Sequence, residues 1–173
     1  MTARLPFGTL QISEIMTKDV KAAKNTEPVL YAIGLMARHK ISSVVVLDEK
    51  GKPVGIFTEK DAIRIIPEHK NPLILELKAV MSGPLITVLP SSPLSSVLTL
   101  MAQKNINHLP VVENAKLVGI VTEKDIFRYV LRHAGLMEEL LVTGPQQIPA
   151  QLLEKFGMEM VGAGVWPEPH RTQ

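Results

Sequence analysis

Two matching heptapeptides, Gly55-Ile56-Phe57-Thr58-Glu59-Lys60-Asp61 and Gly119-Ile120-Val121-Thr122-Glu123-Lys124-Asp125, hold the residues best suited to chemistry in this 173-residue chain. Each reads as a strand handing over to a helix, with Thr58 or Thr122 at the N-cap. The first turn of a helix leaves backbone N–H groups unpaired and carries the positive end of the helix dipole. A phosphate can bind there. A Thr hydroxyl at that point can donate to a phosphate oxygen, and Asp61 or Asp125, one turn further in, offers two acceptors spaced for the vicinal hydroxyls of a ribose. Gly55 and Gly119 would let a ligand or a neighbouring chain approach the strand. Thr-x-x-acid is also the capping-box pattern, in which the acid reaches back to the Thr backbone N–H. From the heptapeptide alone capping is the commoner use, and the duplication does not discriminate, because a cap is inherited as faithfully as a site.

Other reactive residue types form no constellation. Arg64 and Arg128 follow the aspartates by three residues, which makes an intrahelical Asp–Arg pair the default ahead of phosphate contact. Histidines 39, 69, 108, 133 and 170 are scattered without metal-ligand spacing. No Walker loop, G-x-S-x-G or G-x-G-x-x-G is present. The absence of cysteine excludes disulfides, thiol catalysis and Cys-ligated zinc. We therefore expect no catalytic residues, no metal site and no catalytic cofactor. Nineteen basic against seventeen acidic residues, interspersed, give a net charge of +2 and no basic patch of the usual nucleic-acid kind. No apolar run approaches about 18 residues, and Met1–Pro6 lacks a signal-peptide core, so a cytoplasmic protein without a membrane span is expected.

The elements that must position the two heptapeptides repeat with them. Met16/Met81, Pro28/Pro93, Met36/Met101 and Ile41/Ile106 are 65 apart, whereas Gly55/Gly119, Thr58/Thr122, Asp61/Asp125 and Arg64/Arg128 are 64 apart. The residue lost lies where Asp48–Lys52 faces Glu113–Lys116, a polar stretch between apolar runs, as in a hairpin turn that tolerates length change. Two copies of about 55 residues are each near the lower limit for a self-sufficient core, so the halves are expected to bury apolar faces against each other.

Within the first copy, Thr26 precedes Glu27-Pro28 and the apolar stripe Val29, Leu30, Ile33, Met36 and Ala37, which predicts a capped amphipathic helix. Strands are predicted at 43–47 and 52–57, then a helix from Glu59 to about Ile66, stopped by Pro67. The second copy repeats this order. Ser91 or Ser92 caps a helix through Leu94, Val97, Leu98 and Met101; strands follow at 108–112 and 117–122, and a helix runs from Glu123 to His133. Short extra strands are expected near Val20–Ala23 and Ile86–Leu89. Met36 and Met101 read as core filler. The predicted fold class is α+β, two helix-strand-strand-helix (β-α-β-β-α) units plus a C-terminal extension. The expected divisions are repeat 1 at 12–66, a proline-bracketed linker at 67–76, repeat 2 at 77–133 and an extension at 134–173. In that extension Leu136, Leu140 and Leu141 could lengthen the last helix or begin another, until Thr143-Gly144-Pro145 breaks it. Gly157, Gly162, Gly164, Pro167 and Pro169 predict irregular structure beyond.

The openings Ile15-Met16-Thr17 and Val80-Met81-Ser82, the strand Leu109-Pro110-Val111-Val112 and a G-h-x-T-x-x-D at the end of each copy resemble a tandem pair of cystathionine-β-synthase (CBS) domains. The resemblance covers roughly residues 12–133 and rests on the order and duplicated spacing of motifs that are individually weak. It implies a module of two packed repeats with two symmetry-related ligand clefts and a homodimer of modules. The implied role is sensing of an adenine nucleotide (AMP, ADP or ATP) or S-adenosylmethionine on behalf of a client protein.

Carried over by position, one set joins Thr58 and Asp61 with Leu85, Thr87, Ile106, Asn107 and His108. The other joins Thr122 and Asp125 with Val20, Ala22, Ile41, Ser42 and Ser43. Apolar side chains would sandwich the base while Asp holds the ribose and Thr the phosphate. Where the first set has His108 the second has Ser43, so the first can add positive charge below about pH 6.5 and is expected to be the tighter one. Val45 stands where the second repeat has Pro110, a departure from the family's usual strand opening. Two other functions compete: an interaction adaptor in which T-E-K-D is only a cap, and a nucleic-acid-binding module, which a pI near 8.9 permits but charge patterning does not favour.

Overall fold

The computed structural model describes residues 10–68, 71–132, 158–161 and 164–167. The order is β1 (Ala22–Lys24), α1 (Val29–His39), β2 (Ser43–Leu47), β3 (Pro53–Thr58) and α2 (Glu59–Ile65), then α3 (Leu94–Lys104), β4 (His108–Glu113), β5 (Lys116–Thr122) and α4 (Glu123–Arg132), and finally β6 (Met158–Val161) and β7 (Gly164–Pro167). It is a mixed α/β chain in which the helix-strand-strand-helix order occurs twice.

The β-branched run Ser-Val-Val-Val-Leu makes β2 the centre of a three-stranded sheet. Its partner β1 runs parallel, pairing Ala23 with Val46, and β3 runs antiparallel, pairing Val45 with Ile56 and Ser43 with Thr58. In the β2–β3 connection Asp48 Oδ1 accepts from Lys50 N and Lys52 N, both at 2.9 Å, and Gly51 takes a positive φ of 78°. Strands β4 and β5 form a two-stranded sheet. The turn between them uses Asn114 and Ala115 at φ 50° and 61°, the backbone of a tight two-residue hairpin. The length difference between the copies thus falls in this turn.

The extra strand expected at Ile86–Leu89 does not form. A single parallel bridge, Val88 to Val111, stands there instead. In the first copy Val45 N donates to Lys21 O at 3.2 Å, and the residue matching Val45 is Pro110, which has no N–H to donate. The strand expected at Val20–Ala23 is present two residues later, at Ala22–Lys24.

The helix caps also differ from expectation. The N-caps of α1 and α3 are Pro28 and Pro93, without a side-chain hydrogen bond, so neither Thr26 nor Ser91 or Ser92 caps a helix. Backbone carbonyls do the work. Val29 N donates to Leu75 O at 2.8 Å and Leu30 N to Pro72 O at 3.0 Å, while Leu94 N donates to Leu10 O at 2.8 Å. Leu77 N to Glu27 O and Ile12 N to Ser92 O, both 3.0 Å, complete matching pairs. The segment that opens each repeat therefore closes the helix start of the other repeat.

This exchange explains why the compact units are not the sequence repeats. Among the described residues one unit comprises 17–68, 71–89 and 110–120, and the other comprises 10–16, 90–109, 121–132 and the β6–β7 strands. The core of the first contains Ala23, Val29, Ala32, Met36, Val44, Val46, Phe57, Ile65, Leu77 and Val80. In the second, Leu10, Ile12, Leu94, Val97, Leu98, Met101, Leu109, Val121 and Ile126 are buried. Both Met36 and Met101 are core residues. On α1 the buried stripe is Val29, Ala32 and Met36; Leu30 and Ala37, expected to face inward, are exposed.

Part of the extension is regular where irregular structure was expected. Strands β6 and β7 pair antiparallel from Met158 with Pro167 to Val161 with Gly164. The readings made for His133, Leu136, Leu140, Leu141 and Thr143-Gly144-Pro145 lie outside the described residues.

Candidate functional site

At the first junction Phe57, fully buried, ends the core-facing run of β3, and Thr58 turns the chain into α2 from an extended φ of −122°. Thr58 N donates to Asp61 Oδ2 at 2.9 Å, and the Thr58 hydroxyl donates to the same oxygen at 2.8 Å. Asp61 N approaches Thr58 Oγ1 at 3.4 Å, closing the capping box. The other carboxylate oxygen is engaged as well. Asp61 Oδ1 accepts from Arg64 Nη2 at 3.1 Å and from the Ser82 hydroxyl at 3.0 Å. Arg64 Nη2 also reaches Val80 O at 2.8 Å. Asp61 is only 5% exposed.

The second junction repeats the local geometry. Thr122 N donates to Asp125 Oδ2 at 3.0 Å, the Thr122 hydroxyl donates to it at 2.7 Å, and Asp125 N donates to Thr122 Oγ1 at 3.2 Å. Here the acid is half-buried, and Arg128, like Arg64 at the matching place, is exposed. On α4, Tyr129 has its phenol pKa raised, first by burial and then by the Glu14 carboxylate. Each helix start is held by its own repeat: Glu59 N donates to Ser42 O at 3.1 Å, and Glu123 N donates to Asn107 O at 3.2 Å.

The residues expected at ligand sites are distributed as follows. Val20, Ala22, Ile41, Ser42, Ser43, Thr58, Asp61, Leu85 and Thr87 belong to one compact unit, and Ile106, Asn107, His108, Thr122 and Asp125 to the other. Within the first unit Ser43 pairs with Thr58 in the sheet register and is buried, whereas Thr87 is exposed. Residues 41, 42, 106, 107 and 108 are half-buried. Sequence reasoning did not single out Ser82 as a partner of Asp61, although its place in the Val80-Met81-Ser82 opening was noted. The signal available was the small hydroxyl following Met in both openings, Thr17 and Ser82. Among the described residues no three His, Cys, Asp or Glu side chains gather as metal ligands, and no helix is long and apolar enough to cross a membrane.

The CBS domain family model matches residues 12–68 and 77–132, and the chain belongs to that family as a tandem domain pair. An uncharacterized protein of Methanopyrus kandleri is 37% identical over 122 residues, spanning 69% of this chain and 62% of that protein. The chain covers less than two thirds of each of the first curated relatives it matches. Among solved structures, an uncharacterized conserved protein from Pyrococcus horikoshii is 33% identical, with a TM-score of 0.65, covering 70% of this chain and 92% of that one. The CBS domain pair of protein MJ0100, solved with 5′-methylthioadenosine and S-adenosyl-L-methionine, is 29% identical, with a TM-score of 0.64, covering 69% and 98%.

Proposed function

We propose that this chain is a regulatory module that binds an adenosine-containing ligand, AMP, ADP, ATP or S-adenosylmethionine, and passes its occupancy to a client protein. The observation that carries the reading is the duplicated strand-Thr-x-x-Asp-helix junction in a CBS pair similar to the MJ0100 domain pair, which was solved in complex with 5′-methylthioadenosine and S-adenosyl-L-methionine. The two residue sets named from the family resemblance are the candidate contacts. A Thr hydroxyl at a helix start suits a phosphate or carboxylate, and a carboxylate beside it suits a ribose diol. The module works without catalysis of its own, in the cytoplasm and as a homodimer.

A second reading has its own support. Both Thr–Asp pairs make reciprocal capping bonds, which is sufficient reason for their presence in an interaction adaptor that binds no small molecule. Calorimetric titration of the full chain with AMP, ADP, ATP, S-adenosylmethionine and methylthioadenosine separates the two. Saturable binding with a matching rise in melting temperature is expected of the sensor, because a ligand that binds only the folded state must stabilise it. No heat from any of the five with folded, ligand-free protein would leave the adaptor. Binding to nucleic acid with a steep salt dependence would replace both.

A further inference from the structure

We propose that the Ser82 hydroxyl stands on Asp61 where a ligand's ribose would bind, so that uptake exchanges Ser82 and Arg64 for the diol and unties α2 from the segment that opens the second repeat. This rests on the sensor reading above and adds how occupancy of the Asp61 carboxylate is passed on. The two oxygens of that carboxylate have different roles. Oδ2 is held within its own helical turn by Thr58 N and the Thr58 hydroxyl at 2.9 and 2.8 Å, the bonds that cap α2. Oδ1 accepts from the Ser82 hydroxyl at 3.0 Å, 21 residues away in sequence, and from Arg64 Nη2 at 3.1 Å. With about four acceptor positions on a carboxylate, a diol that leaves the cap intact enters only by exchange at Oδ1. The Asp61 side chain is 7% exposed, so the same exchange gives the ligand access to it.

Both occupants of Oδ1 can leave without unfolding the site. Ser82 is exposed and the Arg64 side chain is 58% exposed, so each has solvent to turn into. The backbone behind the hydroxyl is pinned independently: Ser82 N donates to Ile56 O at 2.8 Å and Ile56 N to Ser82 O at 3.1 Å, and the missing Cβ of Gly55 leaves room for Met81 and the Ser82 carbonyl against β3. What the exchange removes is the side-chain tie. Arg64 Nη2 also donates to Val80 O at 2.8 Å, so Asp61 gathers both ends of Val80-Met81-Ser82 onto α2, directly at Ser82 and through Arg64 at Val80. Once a diol holds Oδ1, the carboxylate no longer makes that join. A hydrogen bond from a serine hydroxyl is then replaced by one of the same kind from the ribose, so the ribose adds little net affinity while Ser82 competes with it.

The test is calorimetric titration with AMP, S-adenosylmethionine and 2′-deoxy-AMP of the full chain and of its Ser82→Ala, Ser82→Thr, Asp61→Asn and Asp61→Asn/Ser82→Ala variants, beside urea unfolding of each without ligand. Ser82→Ala should unfold at lower urea than the parent yet bind AMP or S-adenosylmethionine about three- to tenfold more tightly, because the bond it lacks is one that the ligand would have had to break. Ser82→Thr, which keeps a hydroxyl, should bind like the parent. The gain of Ser82→Ala should be clearly smaller for 2′-deoxy-AMP than for AMP and should vanish in the Asp61→Asn background. A purely structural Ser82 lowers stability and leaves affinity unchanged or weaker, and that result overturns the inference. Equal gains with AMP and 2′-deoxy-AMP, or a gain that persists in Asp61→Asn, overturn it as well. If Asp61→Asn does not fold, Ser82→Thr decides: tighter binding with the hydroxyl still present shows that the hydroxyl is not the competitor. Absence of binding of both AMP and S-adenosylmethionine by the parent overturns the sensor reading and this inference together, whereas binding by the parent with no gain in Ser82→Ala overturns the inference alone.

Discussion

Two helix starts with the same Thr-Glu-Lys-Asp sequence end up in different surroundings. Around Thr58 the acid is buried and tied to Ser82 and, through Arg64, to Val80; around Thr122 the same three local bonds form but the acid is half-buried. The local motif sets the bonds within one turn, and the segments packed around it set how far the carboxylate is buried. A repeated motif in a duplicated protein therefore does not imply equal burial of its acid.

The largest expected effects test the part of the comparison that should be equal. Ile12 and Leu77 occupy matching places in the exchanged opening segments and are fully buried. Ile12→Ala and Leu77→Ala should each cost about 2–5 kcal/mol in urea unfolding, and a large cost at one with almost none at the other would break the claim that both segments anchor their units. Next comes the contrast itself. Asp61→Ala removes a buried, hydrogen-bonded carboxylate and should cost about 3 kcal/mol, and Asp125→Ala, at a half-buried acid, should cost less in the same unfolding curves. Equal losses would erase the distinction drawn here.

Gly55→Ala follows, because its new Cβ pushes on Met81 and on the Ser82 carbonyl; about 1–3 kcal/mol is expected, read from the same unfolding curves. The smallest effect separates α4 from α2, where the residue matching Tyr129 is the buried, non-titrating Ile65. A raised phenol pKa means that the folded state favours the neutral form. That contribution to stability is fully present below about pH 10 and is lost as pH rises through the folded value. Titration by phenolate absorbance should show Tyr129 ionising late. Glu14→Gln should lessen the delay without abolishing it, since burial is the larger cause.

Much of the fold was legible in the chain. The 65- and 64-residue offsets located the duplication and the hairpin that changes length, and the β-branched run at 43–47 located β2. The Thr-x-x-Asp spacing gave both capping boxes, because those bonds join residues three apart on one helical turn. The caps of α1 and α3 were misread, since Thr26, Ser91 and Ser92 have the right chemistry but the N–H groups take carbonyls from Leu75, Pro72 and Leu10. The short strand before β4 was overestimated because the effect of Pro110 is felt by a neighbour distant in sequence.

What the sequence by itself determined is local: element types, turn positions, the family and the geometry inside each junction, all fixed by interactions spanning a few residues. Only the tertiary structure decided which opening segment closes which helix, and that Asp61 accepts from the Ser82 hydroxyl, 21 residues away in sequence. Burial and the filling of a carboxylate's last acceptor positions depend on which distant segments meet, and two nearly identical heptapeptides carry no record of that.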